Sequence, residues 1–149
     1  MNGKVRILIA SFAALLSASP AAFACDLKIE SAWIREPAPG QSELAGYAIL
    51  ENHGSRPLRI THISAAAAGM AMLHETRNVG GVSRMEMLDS LSIPAGTRVV
   101  LAPGAKHLML SDLQAPPKVG DHVKVEFQDD SGCTTTGDFI VRPISAEVN

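Results

Sequence analysis

The sequence predicts a single all-β domain, built as an antiparallel β-sandwich or a partly open barrel. Short apolar runs recur along residues 25–149, and clusters of turn-forming residues separate them at regular intervals. No stretch of this region keeps the 3.6-residue apolar period of an amphipathic helix. Eight or nine short strands in a chain of this length are typical of these two architectures.

Each predicted strand is bounded by a recognisable turn. Asn52, Gly54 and Pro57 are turn formers after the second strand, and "RNVGG" (77–81) and "DDSG" (129–132) indicate hairpin loops. The predicted strands are Leu27–Ile34, Ala45–Leu50, Leu58–Ile63, Met70–Thr76, Val82–Leu88, Thr97–Ala102, His107–Leu110, Val123–Gln128 and Thr134–Val141.

Residues 1–24 are predicted to be a secretory signal peptide. Lys4 and Arg6 precede the apolar run Ile7–Leu16, and Ala22-Phe23-Ala24 supplies small residues at a cleavage site. The apolar run is too short for a permanent transmembrane helix, and no later stretch is long enough. We therefore expect one exported domain, residues 25–149, in the periplasm and without membrane insertion.

The charge balance argues against a polyanionic partner. The full chain has 13 basic and 15 acidic residues, and loss of Lys4 and Arg6 with the leader leaves a net charge of −4. No basic run is present, so neither nucleic acid nor an anionic lipid surface is an expected partner.

The two cysteines of the exported domain, Cys25 and Cys133, are expected to form a disulfide. An oxidising compartment and an even cysteine count both favour this pairing. The alternative is attachment of a lipid to Cys25 after cleavage, although Ala22 and Phe23 make a poor lipobox. The spacing fits neither a CxxC redox motif nor a zinc site.

The chemistry of the domain is expected to lie in histidines and methionines at short spacings. Pairing Thr76 with Ser83 across the 77–81 loop would place His74 opposite Met85, where Cβ atoms are ~4.5–5.5 Å apart. His107 and Met109 stand two residues apart, so both point to one side of a strand.

Two imidazoles and two thioethers form a donor set with narrow chemistry. Thioether sulfur is soft and uncharged, and it favours Cu(I) over hard cations or the usual zinc sites. Neutral donors leave the charge of the ion uncompensated, so we expect easy ligand exchange with a partner. From the residues alone, the hypothesis is a carrier of a soft metal ion outside the cytoplasm.

The other histidines and methionines are given structural roles. His62 and His122 are interpreted as surface or hydrogen-bonded residues, and His53 as part of a turn. For Met70, Met72 and Met87 we favour core packing, although Met72 or Met87 could also substitute for Met85.

The combined pattern resembles a known family. His74, ten residues, Met85, twenty-one residues, His107, one residue and Met109 match the H-x10-M-x21-H-x-M signature of the periplasmic Cu(I) chaperones called PCuAC. Segments such as "SAWIRE", "AGYAILEN" and "LSIPAGTRVVLAPGAKHLML" also resemble family segments in the same order, over nearly the whole exported domain.

The resemblance implies a cupredoxin-like Greek-key β-sandwich that binds one Cu(I) through His74, Met85, His107 and Met109. It also implies delivery of copper to an acceptor, either the CuA centre in subunit II of cytochrome c oxidase or a thioredoxin-like assembly factor. We expect a monomer and no enzymatic activity. Two departures are Ser111-Asp112, where many relatives have a methionine, and a C-terminal tail without His or Met.

Two alternatives belong to other functional classes. A metal-independent envelope interaction domain would carry these histidines and methionines incidentally. A blue-copper electron carrier would share the fold, but it needs a thiolate with two histidines. Cys133 has neither His nor Met near it in sequence.

Overall fold

A computed structural model describes residues 25–145, and the predicted signal peptide (1–24) lies outside the described residues. Within 25–145 there is no helix long and apolar enough to cross a membrane. The described part contains ten β-strands: β1 Leu27–Arg35, β2 Leu44–Asn52, β3 Leu58–Ala65, β4 Ala68–Val79, β5 Val82–Leu88, β6 Leu91–Ile93, β7 Arg98–Leu101, β8 Lys106–Leu113, β9 His122–Asp129 and β10 Thr134–Arg142.

The strands join into one hydrogen-bonded sheet in the order β5-β4-β8-β2-β1-β10-β9-β3-β6, and β7 pairs with β2. The β1–β10 pair is parallel, and the other pairs are antiparallel. Several strands that are neighbours in the sheet are far apart in sequence, for example β2 and β8 or β1 and β10. The chain therefore crosses from one part of the sheet to another between consecutive strands. The all-β class predicted from the sequence is confirmed.

The core forms where the sheet folds over on itself. Inward-facing side chains alternate with outward-facing ones along the strands, as the pleat of a β-strand requires. Leu73, Leu108 and Leu110 come from β4 and β8, while Phe127 and Phe139 stack from the opposite half with ring centroids 6.3 Å apart. All five side chains are buried.

Strand β6 is absent from the strands that the sequence predicts. It has only three residues, which is too few to show an alternating pattern. Leu91 and Ile93 are nevertheless buried, and they pair with Ile60 and Leu58 of β3.

Cys25 and Cys133 form the expected disulfide, which joins the residue near the start of β1 to the loop before β10. The sulfur of Cys25 is thereby committed to a bond with Cys133. The structure supports the predicted disulfide rather than attachment of a lipid to Cys25.

Candidate metal centre

The histidines predicted as metal ligands lie directly opposite each other. Strands β4 and β8 are neighbours, and their register pairs His74 with His107 and Met72 with Met109. The two imidazole rings stack, with centroids 5.9 Å apart and planes inclined by 21°. Residues far apart in sequence therefore form one cross-strand cluster.

The β4–β5 hairpin has a register different from the one predicted. Gly80 and Gly81 both have positive φ, at 61° and 81°, and form a two-residue turn of the kind that matches the twist of a hairpin. The strands consequently extend to Val79 and Val82. The loop predicted for residues 77–81 is too long, because two adjacent glycines with positive φ allow a turn of only two residues.

The corrected register changes which methionine faces His74. His74 pairs with Met87, and Met85 pairs with Thr76. The predicted pairing of His74 with Met85 is therefore wrong. Met85 is a diagonal neighbour of His74 on the same face, at a Cβ separation of up to ~7–8 Å, which a long thioether side chain can span.

These donors share the face of the sheet that points away from the core. Along β8, His107 and Met109 alternate with the fully buried Leu108 and Leu110. Along β4, His74 directly follows Leu73, whose side chain points into the core. The donor face thus contains Met72, His74, Met85, Met87, His107 and Met109, supplied by three adjacent strands.

Burial falls steeply across this face. His107 is only 5 % exposed, whereas Met85 is 54 % and Met87 59 % exposed. Met70, also on β4, is 49 % exposed. The interpretation of Met70 and Met87 as core side chains is wrong, because edge strand β5 and the outer face of β4 are open to solvent. One end of the cluster is therefore anchored inside the domain and the other is accessible.

The ring of His107 is oriented by a backbone hydrogen bond. Its Nδ1 lies 3.0 Å from the carbonyl oxygen of Ala105. Because a carbonyl can only accept, Nδ1 carries the proton, and Nε2 keeps a free lone pair for a metal ion. In His74, the buried Nδ1 has no hydrogen-bond partner in the described region. A buried nitrogen without a partner fits a metal ligand better than a structural histidine.

The surroundings of His74 favour its neutral form. Burial is the main cause that lowers the pKa of His74 below its ordinary value of 6.5, and the neighbouring His107 lowers it further. The carboxylate of Glu43 acts in the opposite direction. A depressed pKa favours the unprotonated imidazole, which is the form that binds metals.

An ion-pair cluster holds the two histidine strands in register. Glu75 pairs with Lys106 directly beside the His74–His107 pair. Its carboxylate lies 2.5 Å from the Lys106 ammonium and 2.7 Å from the Arg77 guanidinium. Hydrogen bonds from these two groups lower the pKa of Glu75.

The donor set excludes two other kinds of metal site. Among residues 25–145, no group of three or more His, Cys, Asp or Glu side chains is placed to hold a metal ion. The side chains on the donor face that could complete a soft-metal site beside His74 and His107 are the methionine thioethers. Both cysteines are in the disulfide, so neither supplies the thiolate that a blue-copper centre requires.

Comparison with known proteins identifies the family. A family model described as "Putative lipoprotein LpqE-like" matches residues 27–141, which span β1 to β10. The chain belongs to this LpqE-like, PCuAC-type family. One curated relative, "Putative lipoprotein Lxx21020" from Leifsonia xyli subsp. xyli, is 31 % identical over 118 residues, which cover 78 % of this chain and 70 % of the relative.

Solved structures of PCuAC domains have the same fold. The solution structure of CuI-DR1885 from Deinococcus radiodurans is 28 % identical and has a TM-score of 0.62, with 76 % of this chain and 78 % of that chain covered. A copper-bound PCuAC domain from PmoF2 is 24 % identical with a TM-score of 0.67, and 81 % of this chain and 97 % of that chain are covered. The fold is thus the cupredoxin-like β fold of PCuAC domains.

Proposed function

We propose that this protein is a copper chaperone of the bacterial envelope, which binds one Cu(I) through His74, Met85, His107 and Met109. The observation that carries the proposal is the cross-strand pair of His74 and His107, with their rings stacked at 5.9 Å. The match to a family whose structures include copper-bound domains supports the identity of the metal.

The four donors suit Cu(I) in particular. All are neutral, and half are thioethers, which select soft cations over Zn²⁺ or Mg²⁺. The solution structure of CuI-DR1885, which is 28 % identical to this chain over the aligned region, supports the same oxidation state here.

Each ligand has a distinct part in holding and releasing the ion. His107 is the fixed ligand, since burial and the bond to Ala105 restrain its ring. Burial lowers the pKa of His74 below its ordinary value of 6.5, which favours the unprotonated imidazole that binds metal. Met85 lies on the solvent-exposed edge strand, so it is the ligand that an acceptor's donor group displaces first.

Transfer then proceeds by stepwise ligand substitution. A thiolate or imidazole of the acceptor binds copper as Met85 leaves, and the remaining ligands dissociate in order of increasing burial. No oxidation or reduction is needed, because copper stays Cu(I) throughout. The acceptor that we propose is the CuA centre of cytochrome c oxidase, reached through oxidase subunit II or through a thioredoxin-like assembly factor.

The same proposal places the protein in the periplasm. Export by the predicted signal peptide would bring residues 25–149 to the compartment where such acceptors lie. The description of the family model and the name of the Leifsonia xyli relative both contain the word lipoprotein, which supports a location in the cell envelope. The role is that of a carrier and not of an enzyme.

A Cu(I) competition titration against a chromogenic chelator tests the proposal, with residues 25–149 under reducing conditions. We expect one tight equivalent, which is weakened in Met85→Leu and lost when all four ligands are replaced. Met70→Leu is the matched control, because Met70 is exposed on the same face to a similar degree. Met87→Leu is the competing arm, since Met87 is the residue that pairs with His74.

The outcomes distinguish a site with Met85, a site with Met87 in its place, and a domain that binds no copper. Stronger weakening by Met87→Leu than by Met85→Leu would reassign the fourth ligand to Met87. Absence of Cu(I) binding in the unmodified chain would leave a metal-independent envelope domain. Circular dichroism of each variant shows whether a loss of binding reflects unfolding.

A further inference from the structure

We infer that a second, weaker site for a soft monovalent cation lies at the open edge of the sheet, formed by His62, Met72 and Met87. A cavity of about 210 Å³ is found there, between β3 and the β4–β5 pair. Its lining includes these three residues and Asp89. The volume greatly exceeds the ~10–15 Å³ that one water requires, so an ion and rearranging side chains can be accommodated.

The strand register brings the two thioethers together. Leu73 pairs with Leu88, and His74 with Met87, so Met72 and Met87 are diagonal neighbours on the donor face. Such neighbours have Cβ atoms within ~7–8 Å, and the flexible methionine side chains can close this gap.

His62 comes from the other end of the sheet. Strand β6 covers β3 only at Leu58–Ile60, so the edge of β3 beyond Ile60 is open toward the cavity. The β3–β9 register also shifts between Ile60 and His62, and a bulge of this kind redirects the following side chains. The β5–β6 connection then closes the cavity with Asp89.

The imidazole of His62 is free to bind an ion. His62 is exposed, and its side chain makes no hydrogen bond or ion pair within residues 25–145. By contrast, His53 lies 3.1 Å from a Glu51 oxygen, and His122 lies 3.0 Å from an Asp138 oxygen.

One imidazole and two thioethers favour a soft cation such as Cu(I) or Ag(I). The carboxylate of Asp89 offsets part of the positive charge without being a preferred ligand for a soft ion. Because this set has one imidazole fewer than the centre at His74 and His107, it binds more weakly. This inference rests on the proposed function and deepens it: Met87 pairs with the proposed ligand His74 and also lines the cavity, so its thioether can bind an ion that passes between the two sites.

The test is an NMR titration of residues 25–149 with silver nitrate in chloride-free buffer, observing methionine methyl and histidine imidazole resonances. Silver is a redox-inert probe for soft-cation sites. We expect the first equivalent to shift Met85 and Met109. The second equivalent should then shift Met72, Met87 and His62 together.

Two variants complete the test. In His62→Ala the second equivalent should be lost and the first retained, whereas His122→Ala, which removes another exposed imidazole, should retain both. The second site is refuted if Met72 and Met87 respond only with the first equivalent, or if His62→Ala changes nothing. If silver leaves His74 and Met109 unshifted but still shifts His62 with Met87, the proposed function falls and the second site stands.

Discussion

Adjacent residues of β8 should separate stability from copper binding. Leu108 points into the core and is fully buried, while Met109 lies on the donor face opposite Met72. We therefore expect Leu108→Ala to destabilise the domain without removing a proposed ligand, and Met109→Leu to remove a proposed ligand without destabilising the domain.

The size of the first effect follows from the packing around Leu108. Removing three buried carbons costs ~2.4 kcal/mol at ~0.8 kcal/mol each. A cavity term raises the total to roughly 3–5 kcal/mol. The surroundings are tight, since a Cβ added at Gly46 would lie 3.0 Å from Leu108 Cδ2, so the paired strands have little freedom to collapse. For a domain of this size, the melting temperature should fall by roughly 10–20 °C.

The second effect should be small in stability and large in affinity. Leucine nearly conserves the volume of methionine, so Met109→Leu should change the unfolding free energy by less than ~1.5 kcal/mol. It deletes one of four donor atoms, and we expect Cu(I) to bind at least about tenfold more weakly, which corresponds to ~1.4 kcal/mol. Met70→Leu is the control for both quantities.

The assays are thermal unfolding of the apo protein and chelator competition at a temperature where circular dichroism shows every variant folded. Similar melting temperatures for Met109→Leu and Leu108→Ala would place Met109 in the core and refute this assignment of faces. Loss of copper affinity in folded Leu108→Ala, to the extent seen in Met109→Leu, would refute it as well.

Three further predictions concern pH, the hairpin turn and the disulfide. Because the pKa of His74 is lowered below 6.5 in the folded protein, the unfolded chain binds more protons than the folded protein below that pH. The contribution of His74 to apo stability should therefore be complete above about pH 6.5 and decline as the pH falls below it. Urea unfolding should show this decline, and His74→Gln should flatten it. Gly80→Ala places a side chain at φ 61° and should cost ~1–2 kcal/mol in thermal unfolding, whereas no loss would contradict the two-residue turn. Replacing Cys25 and Cys133 by serine opens a loop with a sequence separation of 108 and should cost up to ~4.7 kcal/mol, with Cu(I) affinity of the folded variant unchanged.

The sequence was sufficient for the β class and for most strands, because alternation and turn residues are local signals. It also showed that His107 and Met109 share a face, which follows from strand periodicity alone. Asn52 illustrates the limit of such signals. It was interpreted only as a turn former, yet its buried amide donates to the carbonyls of Arg56 and Ile93, and so ties the β2–β3 loop to β6.

The features that were not predictable depend on contacts between distant segments. The placement of β8 between β4 and β2 results from chain crossovers, and it brings His107 opposite His74. The exposure of Met87 was not predictable from its spacing, since it depends on the position of β5 at the edge of the sheet. The register error arose at Gly80 and Gly81, where one sequence permits two loop lengths and a shift by two residues preserves the face but changes the partner.

The arrangement of the proposed site would allow a chaperone to bind copper firmly and still release it. The ladder of β4 and β8 and the Glu75–Lys106 ion pair hold His74 and His107 in place through protein contacts alone, so little ordering is required when the ion binds. Met85 stands on the edge strand, where movement disturbs no core contact. In the proposed site, copper affinity would therefore come mainly from the preorganised histidines, and rapid ligand exchange from the exposed thioether. An acceptor that approaches along β5 meets the replaceable ligand first, and the buried His107 last.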